Sequence, residues 1–225
     1  MMLPIFPLAQ TDQELAAWLN RKGMRTVFVN MGSHDVTRPE DAMEFAKAFK
    51  RVLSTFADVQ VLWKYKRYDP AATSGPNRLL AEELSNDRIR IVHWLTAAPV
   101  AILKTPRIAC WINHGGANFF YEGIVAGAPQ VVLPIWFDTY DNGALAEGLG
   151  IGVWGSKRSA PYPEAEELGD AIDRVLSEEE FARKAKWAAE IVRRKGEGRF
   201  NAARKVVERL EELEEMSERQ EKKKV

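Results

Sequence analysis

The chain repeats one alternation, and that alternation limits the folds open to it. RTVFVNM, VQVLWKY, RIRIV, RIACWI, QVVLP and IGVW are short runs dominated by β-branched, aromatic and other apolar residues. Between them lie PEDAMEFAKAFKRVLSTF, a short helical stretch near 78–84, another near 97–104, a segment following Gly116, and one from about Tyr140 to Leu149. Strands that are apolar almost throughout must be covered on both faces, and parallel neighbours need a crossover between them. The alternation therefore predicts an α/β domain built on a doubly wound parallel sheet of about six strands. After Pro163 the pattern turns wholly helical: PEAEELGDAIDRVLS, EEEFARKAKWAAEIVRRK, and a last stripe of Phe200, Ala203, Val206, Val207, Leu210 and Leu213.

Bulk properties narrow the function classes. The 225 residues, 46% of them hydrophobic, suffice for one sizeable core. Lys and Arg number 32, as do Asp and Glu, so no basic field directs the chain to nucleic acid or anionic lipid. An anionic ligand would have to be recognised locally. The single cysteine, Cys110, excludes an internal disulfide and a multi-cysteine zinc site, and suits a reducing compartment, with the cytoplasm expected. MMLPIFPLAQ lacks a basic start and carries two prolines, so neither a secretion signal nor a membrane span is expected. TDQELAAWLNRKG has a cap at Thr11 or Asp12, apolar positions at helical spacing and a terminating Gly23. Residues 1–23 then read as linker and leading helix, 24–215 as the α/β domain and 216–225 as a charged, solvated tail.

In open α/β sheets a ligand sits beyond the carboxyl ends of the strands, where the strand order reverses between the first and fourth. Here those ends carry Asn30-Met31-Gly32-Ser33 and Asn113-His114-Gly115-Gly116. A glycine pair at a helix start lets backbone approach a ligand, and the helix N–H groups favour a phosphate or diphosphate. Ser33 and His114 can add donors, and Glu122, two turns on, can accept from ribose-type hydroxyls. The third strand ends in His93-Trp94, which offers an aromatic face to a nucleobase. PIWFDTYDN, after the fifth strand, places Asp138 and Thr139 where sugar hydroxyls would lie. Each feature also has a plainer reading: glycines for tight packing, Trp94 as core, and Asp138 as a helix cap. DTYD offers too few ligands for a metal, and none is expected.

These residues together carry a resemblance. HW at 93–94, INHGGANFFYEG at 112–123, GAP at 127–129, LPIWFDTYDN at 133–142 and GIGV at 150–153 resemble the donor signature of the UDP-glycosyltransferases. In that family the C-terminal, Rossmann-like half of a GT-B fold binds the nucleotide sugar. The resemblance implies that Trp94 stacks the uracil and that the Leu95 backbone pairs with its edge. It further implies that Gly32, Ser33, His114, Gly116, Ala117 and Asn118 surround the diphosphate, that Glu122 binds ribose, and that Asp138 and Thr139 face the sugar. The chain departs from the family pattern at Thr96 and Ala97, where Pro and Gln are common, at Phe119 in place of Ser, and at Thr139 in place of Gln. The interval from Trp94 to His114 is also two residues longer than in the plant pattern.

The implied reaction transfers a hexosyl group, glucosyl by expectation, from a UDP-sugar to a hydroxyl of a small lipophilic acceptor with inversion, without cofactor. The family's acceptor pocket and catalytic base lie in an N-terminal domain absent from this sequence, so no catalytic residue is assigned here. An acceptor-binding domain or partner subunit is expected, with self-association through the last helix as a further outcome. The alternatives are a nucleotide-sugar sensor or interaction module, half of another GT-B enzyme such as a nucleotide-sugar epimerase, and a hydrolase using Ser33, His114 and Asp138. No GxSxG elbow supports the last.

Overall fold

The architecture follows from a computed structural model, which describes residues 7–33, 37–66, 74–196, 204–209 and 212. Six strands form one parallel sheet: β1 (Arg25–Asn30), β2 (Val59–Lys64), β3 (Ile89–Val92), β4 (Ile108–Asn113), β5 (Gln130–Val132) and β6 (Gly152–Trp154). Their order is β3-β2-β1-β4-β5-β6, so the chain winds outward from β1 in one direction, then restarts beside it with β4. That restart is the switch point predicted from the sequence.

The helices up to residue 195 are α1 (Leu8–Thr11), α2 (Gln13–Leu19), α3 (Pro39–Thr55), α4 (Ser74–Leu79), α5 (Ala81–Ser85), α6 (Pro99–Leu103), α7 (Ala117–Ala126), α8 (Asp138–Leu149), α9 (Ala165–Ser177) and α10 (Glu179–Lys195). The leading segment, read as one helix, divides at Asp12, whose carboxylate accepts from the Leu15 N–H at 2.9 Å and so caps a new start. The stretch near 78–84 likewise divides into α4 and α5, and α8 begins two residues before Tyr140.

Alternation along the strands explains the two covered faces. Val27 and Val29 of β1, with Cys110 and Ile112 of β4, join one cluster with Phe45, Phe49 and Val52 of α3 and Leu168, Ile172 and Val175 of α9. Phe28 and Trp111 point the other way, into a cluster with Leu15, Trp18 and Leu19 of α2 and Ile102 of α6. Val132 meets Phe120, Ile124, Ala146 and Ala185, where α7, α8 and α10 converge. Burying each such Val, Leu or Phe side chain contributes about 1.5–3 kcal/mol, and the clusters fix the strand ends against one another. The Cys110 thiol is fully buried, and burial raises its pKa, which suits an inert core residue.

The last predicted helix is described only in part. Residues 204–209 are helical, and Val206 and Val207 are 60% and 53% exposed rather than packed on the domain. Phe200, Ala203, Leu210, Leu213 and the tail at 216–225 lie outside the described residues. Among the described residues no helix is long and apolar enough to cross a membrane.

Candidate nucleotide site at the strand switch point

β1 and β4 are hydrogen-bonded neighbours with Asn30 opposite Asn113, and the two strand ends are built alike. The Gly32 N–H donates to Asn30 Oδ1 at 3.0 Å, and the Gly115 N–H donates to Asn113 Oδ1 at 2.8 Å. Each turn then uses a left-handed glycine, with φ +98° at Gly32 and +79° at Gly115, which a side chain would strain. Asn113 is fully buried, and its amide donates to Gln130 Oε1 at 3.0 Å while Gln130 donates to the Phe120 carbonyl at 3.1 Å. The Asn142 amide holds the Gly115 carbonyl at 2.7 Å. Sheet, α7 and α8 therefore share one buried amide network around the turn.

Above these turns lies a cavity of about 350 Å³. It brings together six of the residues expected at a diphosphate: Gly32, Ser33, His114, Gly116, Ala117 and Asn118. Met31, Phe119 and Trp136 complete the wall; the sequence reading had assigned none of them a ligand contact. The His114 ring fills the gap between the two loops. A Cβ at Gly32 would lie 3.3 Å from its Cε1, and one at Gly116 would overlap its Nε2. Phe119 packs edge-on at 5.2 Å between ring centroids, and Trp136 at 6.4 Å.

The start of α7 forms the cavity wall and is unlike the other long helices. Gly116 is its N-cap, with no side-chain cap and no acidic residue in the first turn. Among the described helices of eight residues or more, the others all begin with Asp or Glu in the first turn. The first N–H groups of a helix lack intrahelical partners and carry a partial positive charge, so this end is shaped for an anion.

The remaining expected residues are not among those that line the cavity. Trp94 stands 65% exposed at the end of β3, with Leu95 half-buried beside it. The Lys64 ammonium sits 5.6 Å from the Trp94 ring centroid and donates to the Gly32 carbonyl. Lys66 donates to the Ser33 carbonyl at 2.6 Å. Neither lysine was anticipated from the sequence, because each acts on a carbonyl more than thirty residues away in the chain. Glu122 is half-buried on α7; its Oε2 is buried with no hydrogen-bond partner, and burial raises its pKa.

Asp138 and Thr139 part company. Asp138 is exposed in the first turn of α8, outside the cavity wall. Thr139, expected to face a sugar, is fully buried. Its hydroxyl accepts from the Ile135 N–H at 3.2 Å and the Trp136 N–H at 3.1 Å, and donates to the Trp136 carbonyl. That side chain ties its own loop together and has nothing left to offer a ligand. Asp138 is not in the cavity wall that holds Ser33 and His114, so the hydrolytic-triad reading also lacks its third member there. Among the described residues no three His, Cys, Asp or Glu side chains converge on a point that could hold a metal.

Comparison with known proteins bears on this geometry. Residues 6–194 match the family model described as UDP-glucoronosyl and UDP-glucosyl transferase. The chain is 37% identical over 178 residues to glycosyltransferase sdnJ of Sordaria araneosa, covering 78% of this chain and 34% of that protein. It is 30% identical to UDP-glucuronosyltransferase 1-2 of Mus musculus, covering 76% of this chain and 28% of that protein. It thus spans about a third or less of the length of these curated relatives. A transferase from Siraitia grosvenorii, solved in complex with UDP, superposes with a TM-score of 0.73 at 21% identity, covering 93% of this chain and 48% of that one. An anthocyanidin 3-O-glucosyltransferase, also solved with UDP, gives a TM-score of 0.70 at 17% identity, covering 87% and 41%.

Proposed function

The chain belongs to the UDP-glucoronosyl and UDP-glucosyl transferase family, and on that premise we propose that it is the UDP-sugar-binding half of an inverting glycosyltransferase. One observation carries the reading: two glycine turns, the His114 ring wedged between them and the uncapped start of α7 all border a single cavity at the strand switch point. The diphosphate lies there, against the α7 start, His114 and the Ser33 loop. The uracil stacks on Trp94 with its edge at the Leu95 backbone, the ribose hydroxyls reach Glu122, and the sugar extends toward Asp138.

In the reaction, the acceptor oxygen bonds to the anomeric carbon as the bond from that carbon to the diphosphate breaks, with inversion. The negative charge that develops on the departing diphosphate is stabilised by dipoles already aimed at it. The acceptor's proton goes to a base supplied by an acceptor-binding domain or partner subunit, because the packed His114 ring serves the phosphates. The donor is a UDP-hexose, with glucose favoured, and the acceptor a small lipophilic alcohol or phenol. No metal or cofactor takes part. A buried, unreactive Cys110 suits the reducing cytoplasm.

Calorimetric titration with UDP, UDP-glucose, ADP and GDP tests this. UDP and UDP-glucose should bind selectively, and Trp94→Ala should weaken them by about 1–3 kcal/mol, the value of one base stacked on an aromatic side chain. No binding, or equal binding of all four nucleotides, would overturn the assignment. The chain by itself should show negligible transferase activity; robust turnover of a small acceptor by the purified chain would remove the need for a separate base.

A further inference from the structure

A nucleoside diphosphate brings multiple negative charges, yet among the described residues the cavity wall carries no Lys or Arg. Two lysines donate to the backbone of that wall. Lys64 closes β2, is only 5% exposed, and donates from its ammonium to the Gly32 carbonyl. Burying an ammonium is costly unless it is well paired, so this lysine stays hydrogen-bonded, with the Gly32 carbonyl among its partners. In a trans peptide the C=O and the N–H of the next residue point in opposite directions. Fixing the Gly32 carbonyl toward Lys64 therefore turns the Ser33 N–H the other way, and Ser33 belongs to the cavity wall. The φ of +98° at Gly32 is what lets the peptide plane adopt this orientation. Lys66 draws the next carbonyl, that of Ser33, to the same side at 2.6 Å.

The same Lys64 ammonium lies 5.6 Å from the centroid of the Trp94 ring, within reach of a cation–π contact. One buried charge is thus joined both to the phosphate loop and to the base platform. Resting on the donor-site reading above, we propose that Lys64 is the positioning residue of the diphosphate subsite. It aims the Ser33 amide into the cavity and supplies positive potential from behind the wall, with Lys66 as an exposed auxiliary. Neither lysine touches the diphosphate.

The test compares UDP with uridine by calorimetry on the full chain. Lys64→Met should weaken UDP by roughly 10–100-fold, the range for a lost hydrogen bond involving a charged group, with uridine changed less than about twofold. Lys64→Arg should restore most of the loss. Lys66→Met, at a more exposed position, should weaken UDP alone by roughly twofold to fivefold, as a screened charge does. Equal losses for UDP and uridine, or unchanged UDP binding in both lysine variants of a wild type that binds UDP, would overturn the role of Lys64 and leave the donor site standing. A wild type that binds neither ligand would sink the donor site itself. A second readout needs no ligand: the Ser33 amide resonance should shift in Lys64→Met and return in Lys64→Arg, and an unmoved resonance would also overturn the proposal.

Discussion

Two strand-to-helix passages leave neighbouring strands at the same edge of the sheet, and they treat the helix start in opposite ways. β4 passes to α7 through Gly115 and Gly116, with no acidic residue and no side-chain cap in the first turn. β5 passes to α8 through Pro134-Ile135-Trp136-Phe137, and here Thr139 collects two loop N–H groups while Asp138 and Asp141 sit in the first turn. One helix dipole meets carboxylates of its own first turn, and the other, on the proposed reading, meets the phosphates of a ligand. The two loops are also joined: Asn142 of α8 holds the Gly115 carbonyl, and the Thr139 carbonyl packs against the Cα of Gly115. The closed loop therefore acts as a buttress for the open one.

Breaking that joint should have the largest effect. A Cβ at Gly115 would lie 2.8 Å from both the Thr139 carbonyl and Val132 Cγ1, at a backbone φ of +79°. The left-handed conformation costs roughly 1–2 kcal/mol with a side chain and overpacking roughly 1–3 more, so Gly115→Ala should destabilise the fold by about 2–5 kcal/mol. For a chain of this size, the melting temperature should fall by roughly 5–20 °C. A fall of less than about 2 °C would mean that the two loops are not braced together.

Its neighbour should separate binding from stability. Gly116 has an ordinary φ of −60°, so alanine there strains no backbone. Its Cβ would instead overlap His114 Nε2 and push the ring out of the gap between the loops. Gly116→Ala should weaken UDP by at least about tenfold, the order of one lost charge-assisted contact, with melting shifted by less than Gly115→Ala. Unchanged UDP affinity would remove His114 from the phosphate site.

The same contrast explains what could be read from the sequence. Every strand was legible because its run of β-branched, aromatic and other apolar residues stands out even where Gln60, Arg90 or Gln130 interrupts or bounds it, and the switch point then followed from the expected order of strands. The open loop was legible too, since Asn-His-Gly-Gly states its own backbone requirements. The closed loop was not: Asp138 and Thr139 look equally polar in sequence, and only the folded conformation of the β5–α8 loop, whose N–H groups Thr139 collects, turns one outward and the other inward. Lys64 was missed for a similar reason. Its partner is a carbonyl 32 residues earlier in the chain, which local periodicity cannot reveal. Val206 and Val207 show the converse, an apolar stripe that the described domain does not cover.

Glu122 extends the open side of the comparison and brings a pH dependence. Burial raises its pKa, so the folded chain binds this proton more tightly than the unfolded chain does. Its contribution to stability is therefore favourable below the ordinary carboxylate value and declines as pH rises through the raised one. Ribose hydroxyls that donate to the carboxylate pull the other way, favouring the charged form. UDP affinity should then fall as pH drops through the raised value, while a 2′,3′-dideoxy analogue should show no such dependence. Glu122→Gln should flatten the UDP profile and weaken UDP by roughly tenfold at neutral pH, as expected for hydrogen bonds to a charged acceptor. The same pH dependence in the dideoxy analogue would assign the titration to another group.

The smallest effect should come from Asp138, on the closed side. It is exposed at the start of α8, where a carboxylate stabilises the helix dipole by about 0.3–1 kcal/mol. If that were its whole role, Asp138→Asn would lower the melting temperature slightly and leave all ligands alone. If Asp138 also accepts from sugar hydroxyls, the variant should weaken UDP-glucose by roughly twofold to tenfold while UDP, which has no sugar to reach it, binds unchanged. The ratio of the two affinities thus decides the matter independently of any loss of stability. A ratio equal to that of the wild type would confine ligand recognition to the open loop and leave α8 as its support alone.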